Sequence, residues 1–284
     1  MAIRVTLNHY THYQYDRMVF LSTHLVRLKP AAHTRAAIES YSLTIEPANH
    51  VLHWQQDPLG NFIARVDFSD AVQMIAVKVA IIARLEPVNP FDFFVDPDAA
   101  LFPFTYGAQL SKDLAPYLEC LEPGPYLRQW VRLVDRTRRD TVDFLIQLNQ
   151  HLYQAITYSE RLQPGVQTAE ETLQQAMGSC RDSGWLLVQI LRQLGLAARF
   201  VSGYLAQVSR DDLQTDSLAL HAWAEVYIPG AGWIGLDPTS GMLTTEGHIP
   251  LACTSEPFGA APVTGTSEVS EVVLTYTNCL IRLP

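Results

Sequence analysis

The chain has little of several features that would indicate a partner or a cofactor. Its 20 Lys and Arg residues are outnumbered by 29 Asp and Glu residues, which gives a formal net charge of −9. Nucleic acids and anionic membranes attract basic surfaces, so this balance argues against both as partners. The sequence contains no glycine-rich phosphate loop, no calcium-binding loop and no internal repeat. We therefore expect no cofactor, and the oligomeric state stays open.

Cysteines and long apolar runs are also few. The chain has four cysteines, which are Cys120, Cys180, Cys253 and Cys279. If one of them is a free nucleophile, the other three cannot form a full set of disulfides, which favours a reducing compartment. The longest apolar run, residues 71–85, is too short to span a bilayer and contains Lys78. The opening residues lack the apolar stretch of a signal peptide. These features predict a cytoplasmic protein without a membrane partner.

The first third of the chain has the alternating pattern of β-strands. Turn residues such as those at 47–49 and 58–61 separate the apolar segments from one another. The segments that favour strands are 3–7, 40–46, 61–68 and 73–85. This pattern predicts an all-β sandwich over residues 1–95.

Helical patterns begin near residue 111 and later alternate with strands. Residues 141–158 carry an apolar face, and Thr168 precedes Glu171 with the spacing of a capping box. Further strands are predicted at 197–206, 221–228, 233–237 and 271–281. We therefore predict an α+β fold with an N-terminal β domain (1–95), a connector with helices (96–140), a core of helices and strands (141–250) and a C-terminal strand segment (251–284).

Cys180 stands at a predicted junction between a loop and a helix. Gly178 and Ser179 end one segment, and apolar residues then recur at helical spacing up to Leu194. Unpaired backbone N–H groups at a helix N-terminus stabilise anions, so this position suits a thiolate nucleophile or an oxyanion. Alternatively, Cys180 is a small buried residue that merely begins a helix.

His221 and Asp237 occupy two predicted strands that a Pro-Gly-Ala-Gly turn connects. A hairpin whose paired residue numbers sum to 458 would place Ala222 opposite Leu236 and Trp223 opposite Gly235. In that register His221 and Asp237 share one face, and the glycine leaves room for the indole. Alternatively, the histidine and the aspartate are structural residues at a strand edge and a turn.

The segments around these three residues resemble the transglutaminase-like superfamily, whose core is related to papain-like thiol enzymes. The resemblance rests on Cys180 at a helix start, on His221-Ala222-Trp223-Ala224-Glu225, and on Leu236-Asp237-Pro238-Thr239. Residues 15–30, 57–61, 180–187 and 201–205 resemble the bacterial branch of the superfamily. The resemblance implies a Cys180–His221–Asp237 catalytic triad, in which the thiol attacks, the imidazole transfers protons and the carboxylate orients the imidazole.

Other candidate residues fit structural roles better. His9 and His12 are three apart in a strand, where such side chains point in opposite directions, so they do not predict a metal site. His248 is the runner-up base, although it lies in a predicted loop. Asp182 fits an acidic residue in the first turn of a helix. Trp185 and Trp223 are expected to pack near the site.

The function that the resemblance implies is acyl transfer on peptide or protein amide bonds. Water would resolve the acyl-enzyme in a cysteine peptidase or amidase, and an amine would resolve it in a transglutaminase. One oxyanion donor is expected to be the backbone N–H of Cys180, and the second is not assigned. The alternative is a binding or scaffolding protein that uses a transglutaminase-like fold without catalysis.

Overall fold

The N-terminal third of the protein consists of β-strands. In the computed structural model, residues 2–209 and 215–284 are described. The first six strands are β1 (Ile3–Val19), β2 (His24–Val26), β3 (Ala37–Glu46), β4 (His50–Gln56), β5 (Phe62–Phe68) and β6 (Val72–Leu85). Alternation of apolar residues predicts β1, β3, β5 and β6, whereas the short β2 and the largely exposed β4 lack that signal.

Helices and short strands alternate in the middle of the chain. The helices are α1 (Ala108–Asp113), α2 (Ala115–Leu118), α3 (Pro125–Leu133), α4 (Thr141–Ala155), α5 (Ala169–Gln175) and α6 (Cys180–Gln193). The short strands are β7 (Leu101–Phe102), β8 (Arg139–Asp140), β9 (Thr157–Tyr158) and β10 (Met177–Gly178). The predicted capping box is present, since Thr168 Oγ1 accepts from Glu171 N–H and the Glu171 carboxylate accepts from Thr168 N–H.

The last third of the chain supplies the remaining strands. They are β11 (Ala198–Gln207), β12 (Ser217–Ile228), β13 (Gly232–Asp237), β14 (Met242–Leu243), β15 (His248–Thr254), β16 (Val263–Thr264) and β17 (Val272–Arg282). Short 3-10 helices lie at Pro97–Ala99 and Pro257–Ala260. The sequence predicts an exposed polar loop at 209–217, of which residues 210–214 lie outside the described part of the chain. No helix within residues 2–209 and 215–284 is both long and apolar enough to cross a membrane.

Two four-stranded sheets form the predicted sandwich, and the C-terminal segment completes both. Their strand orders are β17-β1-β6-β3 and β16-β2-β5-β4. Buried residues such as Leu7 and Ile81 of one sheet and Val66 of the other share one apolar cluster. Strand β17 therefore adds to the N-terminal sandwich by pairing with residues 5–15 of β1.

A five-stranded antiparallel sheet, in the order β14-β13-β12-β11-β15, forms the centre of the second half. Ala222, Ala224 and Val226 of β12 join the buried cluster that contains the apolar residues of α6. Tyr204 of β11 and Leu251 of β15 join the cluster of the sandwich. The sheet therefore packs against both the helices and the sandwich, which makes the fold α+β as predicted.

The predicted register of the β12–β13 hairpin is wrong by two residues. Ala224 lies opposite Leu236 and Glu225 lies opposite Gly235, so paired residue numbers sum to 460 rather than 458. A slip of two preserves the faces of both strands, which is why His221 and Asp237 still meet. Gly235 does not make room for Trp223, because Thr244 fills the space beside it.

The room for Trp223 comes from Gly203 of the neighbouring strand β11. A Cβ on Gly203 would lie 2.4 Å from the Trp223 ring atom Cη2, so a larger residue there would collide with the indole. Gly203 lies directly opposite His221. Trp223 is 1% exposed, and it is therefore a packing residue next to the candidate site, as the sequence suggests.

Candidate active site

Cys180 is the first residue of α6, and Asp182 fixes the turn that presents it. Asp182 is fully buried and accepts from the Ser179 backbone N–H at 2.8 Å and from Ser179 Oγ at 2.7 Å. Arg161 adds two bonds of 3.0 Å to the same carboxylate. Asp182 thus stabilises the helix start and its preceding loop, which is the first-turn role that the sequence indicates.

His221 lies inside β12 rather than at its beginning, and its ring faces Asp237. His221 Nε2 lies 3.1 Å from Asp237 Oδ2, so the hydrogen bond expected from the sequence is present. Both side chains are nearly buried, with exposures of 9% for His221 and 2% for Asp237. A hydrogen bond between two such groups is stronger in this environment than it would be in water.

Cys180 interacts with the same imidazole. Burial lowers the pKa of His221, but its hydrogen bonds to Asp237 and to Cys180 and its attraction to both groups outweigh burial and raise the pKa to about 10. Since Nε2 faces Asp237, Nδ1 is the ring nitrogen left for the thiol. The structure therefore brings the three predicted site residues together, with the imidazole between the thiol and the carboxylate.

Asp237 has further partners that saturate its carboxylate. Oδ1 accepts from Thr239 N–H at 2.9 Å and from Thr239 Oγ1 at 2.7 Å. Oδ2 accepts a second imidazole bond, from His248 Nε2 at 3.3 Å. Burial raises the pKa of Asp237, but the bonds from His221 and His248 outweigh it and hold the pKa well below its usual range. Asp237 is therefore ionised at every pH at which the protein would work.

The backbone at the end of β13 is held from the opposite side by helix α4. Asn149 is 1% exposed, and its Nδ2 donates to the Asp237 carbonyl at 3.2 Å and to the Met242 carbonyl at 3.1 Å. Asn149 therefore fixes the strand end that carries the carboxylate. The sequence could have pointed to Asn149, because it is a polar amide on the apolar face of the predicted helix 141–158.

Thr239 and His248 also contact Asp237, although the sequence interpretation gives Thr239 no role and names His248 only as the runner-up base. Thr239 belongs to the segment Leu236–Thr239, which is part of the family resemblance. An Asp two residues before a Thr favours a turn, because its carboxylate can accept a hydrogen bond from the backbone N–H of the Thr. His248 lies at the first residue of β15 rather than in a loop. Its contact with Asp237 depends on the pairing of β15 with β11, which no local pattern reveals.

Two groups of side chains within residues 2–209 and 215–284 have metal-like spacing. The first comprises His221, Asp237 and His248, whose ligand atoms lie within 4.8 Å of one another. However, the Thr245 N–H donates to His248 Nδ1 at 3.2 Å. A neutral histidine that binds metal through Nε2 carries its proton on Nδ1 and needs an acceptor there. This group therefore suits hydrogen bonding better than metal binding.

The second group comprises His33, Glu225 and Cys253. Its carboxylate already binds Arg199, whose Nε lies 2.7 Å from Glu225 Oε2. A guanidinium in that position repels a second cation. The pair His9 and His12 is not predicted to bind metal. Both ring nitrogens of His9 already have hydrogen-bond partners, in Asn278 and Thr11.

An open cavity of about 570 Å³ lies beside the start of α6. Its lining includes Ser159, Glu160, Arg161, Met177 and Gly178, the last of which is two residues before Cys180. Cavities that bind small ligands typically measure about 300–1,000 Å³. Cys180 itself is half-buried and is not among the residues that line this cavity.

Comparisons with known proteins concern the family and the fold of the chain. A model of the bacterial transglutaminase-like N-terminal region matches residues 5–84, and a model of the transglutaminase-like superfamily matches residues 128–238. Uncharacterized proteins of Mycobacterium tuberculosis and Mycobacterium bovis are each 28% identical over 259 residues, which is 87% of this chain and 82% of theirs.

A solved structure shares the fold. It is a crystal structure of a candidate cysteine protease from Cytophaga hutchinsonii, with a TM-score of 0.70 and 17% sequence identity. The match covers 100% of this chain and 92% of the other. At this level of identity the likeness concerns the arrangement of the chain, including the sandwich together with the papain-like core.

Proposed function

Because the chain belongs to the transglutaminase-like superfamily, we propose that it is a thiol-dependent acyl-transfer enzyme acting on peptide or protein amide bonds. In this proposal Cys180 is the nucleophile, His221 is the general base and acid, and Asp237 orients the imidazole. The observation that carries the proposal is the position of the His221 ring, which interacts with Cys180 and with Asp237 at once.

The first half of the reaction would form a thioester. The Cys180 sulfur attacks the amide carbon, and its proton resides on His221. The developing oxyanion would face the N-terminus of α6, where the backbone N–H of Cys180 is one donor. His221 then gives the proton to the leaving amine, the C–N bond breaks, and the acyl group stays on sulfur as a thioester.

The second half would release the acyl group. His221, now neutral, removes a proton from water or from a primary amine, which attacks the thioester carbon. Water gives a carboxylic acid, as in a peptidase or amidase, and an amine gives a new amide, as in a transglutaminase. The Cys180 thiolate then leaves the acyl carbon, and the protonated His221 again lies beside it.

Two features of the site support this chemistry. Asp237 has its four acceptor positions occupied by Thr239, His221 and His248, so the carboxylate is held in one orientation. The raised pKa of His221 favours the imidazolium that must protonate a leaving amine. Both features follow from the hydrogen bonds of Asp237, since the bond to His221 helps to raise the His221 pKa against the effect of burial.

A peptide-library cleavage assay, run with and without an added primary amine, tests the proposal. Turnover in the absence of amine indicates hydrolysis, and incorporation of the amine into peptides indicates acyl transfer. Cys180→Ala should remove both activities, and Cys279→Ser, at an exposed thiol, should keep them. If purified wild-type protein shows neither activity and Cys180 does not react with iodoacetamide at neutral pH, the scaffolding alternative is correct.

A further inference from the structure

His248 places a second imidazole at the candidate site, and no step of the proposed reaction uses it. Its side chain is 9% exposed, and its Nε2 lies 3.3 Å from the Asp237 carboxylate. The ring packs against Trp223 with a centroid distance of 5.3 Å and an angle of 85°. It lies 6.0 Å from the His221 ring, measured between centroids.

The turn that precedes β15 determines which nitrogen of His248 carries the proton. Thr245 N–H donates to Nδ1 at 3.2 Å, and His248 N–H donates to the Thr245 carbonyl at 3.0 Å. A ring nitrogen that accepts a hydrogen bond has no proton, so the neutral ring is protonated on Nε2. His248 therefore donates to Asp237 without needing a positive charge.

Gly247 and the strand pairing hold this turn in place. The Gly247 carbonyl accepts from Ala206 N–H at 2.8 Å, and a Cβ on Gly247 would lie only 2.3 Å from the Ala206 carbonyl oxygen. The turn is thus clamped to β11, and His248 cannot shift without breaking backbone hydrogen bonds. The ring is consequently a rigid donor to Oδ2.

We infer that His248 is a positioning residue of the proposed catalytic site, which keeps Asp237 Oδ2 directed at His221 Nε2. The carboxylate torsion is broad and roughly two-fold, so a carboxylate needs donors on both oxygens to hold one orientation. Thr239 supplies the donors on Oδ1, and His248 supplies the additional donor on Oδ2. The role rests on the proposed function, because it serves the His221–Asp237 pair.

Three variants test this role. A glutamine amide nitrogen can reach the place of the imidazole Nε2, whereas an asparagine amide reaches only the place of Nδ1. His248→Asn should lower kcat by about 10- to 100-fold with little change in KM, since a hydrogen bond to a charged group is lost. His248→Gln should recover most of the loss. Ile249→Val, which alters packing on the same strand, should keep the wild-type kcat.

A second readout needs no substrate. The titratable groups that face His221 are Cys180 from α6, Asp237 from β13 and His248 from β15. If Asp237 turns away in His248→Asn, the His221 imidazolium is less stabilised and loses its proton at a lower pH. The alkaline transition in the pH profile of Cys180 alkylation should then lie at a lower pH than in the wild type. His248→Gln should restore the wild-type profile.

The outcomes separate the two proposals. Equal kcat values and equal alkylation profiles for wild type, His248→Asn and His248→Gln would overturn the positioning role. Equal losses in the Asn and Gln variants, with melting temperatures lowered alike, would also overturn it, because the effect would then be structural. A wild-type protein without turnover would overturn the proposed function, and the alkylation profiles would still decide whether His248 holds Asp237.

Discussion

Two cysteines of this chain each lie near a histidine and a carboxylate, and the surroundings make the two groups chemically different. Cys180 is half-buried and interacts with His221, which faces Asp237. Cys253 is 2% exposed, and its Sγ lies 3.6 Å from His33 Nε2, with Glu225 nearby. A thiol, an imidazole and a carboxylate therefore come together at two places in the molecule.

The partner of the carboxylate accounts for the difference. Asp237 directs its charge at His221, which raises the pKa of the imidazole against the effect of burial. Glu225 binds Arg199 instead, at 2.6 Å from Nη2. Burial raises the pKa of Cys253 far above its usual range, so that thiol stays protonated. A cysteine near a histidine and a carboxylate is therefore not activated by that fact alone, because the charge of the carboxylate must face the imidazole.

The largest expected effect separates the two cysteines directly. Cys180→Ala should lower kcat by at least about 10⁴-fold, because no other group can form the thioester. Its free energy of unfolding should change little, since a half-buried thiol contributes little packing. Cys253→Ala should keep kcat near the wild-type value and lower stability by about 1 kcal/mol. Kinetics and urea unfolding of both variants check the pair, and loss of activity in both would contradict the account.

The two carboxylates should differ in the same way. Asp237→Asn should lower kcat by about 10²- to 10⁴-fold, far more than it lowers stability, because the amide favours the wrong imidazole tautomer; the corresponding serine-protease change is the established example. Glu225→Gln should instead lower stability, by about 3 kcal/mol, because it weakens a buried ion pair with Arg199. Similar kinetic losses in both variants would contradict the distinction.

The pH dependence should reflect His221. Its folded-state pKa of about 10 lies above the ordinary value of 6.5, so the protonated form is favoured by folding. The stability that it contributes is fully present below 6.5 and is lost as pH rises through about 10. We expect kcat/KM and the free energy of unfolding to fall together over that range. A flat unfolding free energy from pH 7 to 10 would contradict the raised pKa.

The smallest expected effect concerns Thr239. Thr239→Val keeps the shape of the side chain and the backbone bond to Asp237 Oδ1 but removes the hydroxyl bond of 2.7 Å. Since a single hydrogen bond to a charged group is lost, kcat should fall by about 10-fold. A loss as large as that of Asp237→Asn would show that the hydroxyl has a role beyond holding the carboxylate.

Much of the architecture follows from local patterns in the sequence. The apolar spacing from Leu187 to Leu194 predicts α6, and Thr168 with Glu171 predicts the start of α5. Strand alternation predicts most of the sandwich, and the three segments around Cys180, His221 and Asp237 predict that these side chains meet. Each of these signals is contained within one or two elements of the chain.

The hairpin register and the additional site residues depend on distant elements. The predicted pairing of Trp223 with Gly235 depends on two strands alone, whereas the indole lies over Gly203 of a third strand and Thr244 fills the space at Gly235. Asn149 and His248 reach Asp237 from α4 and β15. Such contacts arise only after the sheet and the helices are assembled, so no period or spacing in the sequence specifies them.

Competitive alkylation of the four cysteines tests the central claim most directly. The protein would be treated with limiting iodoacetamide at pH 6 to 8, and the modified residues would be quantified by mass spectrometry. Cys279 is exposed and serves as the internal reference, whereas Cys180 is less exposed. If the His221–Asp237 pair stabilises a thiolate, Cys180 reacts first in the wild type and loses this advantage in Asp237→Asn. If Cys279 reacts first and Asp237→Asn changes nothing, Cys180 is not an activated nucleophile and the account is wrong.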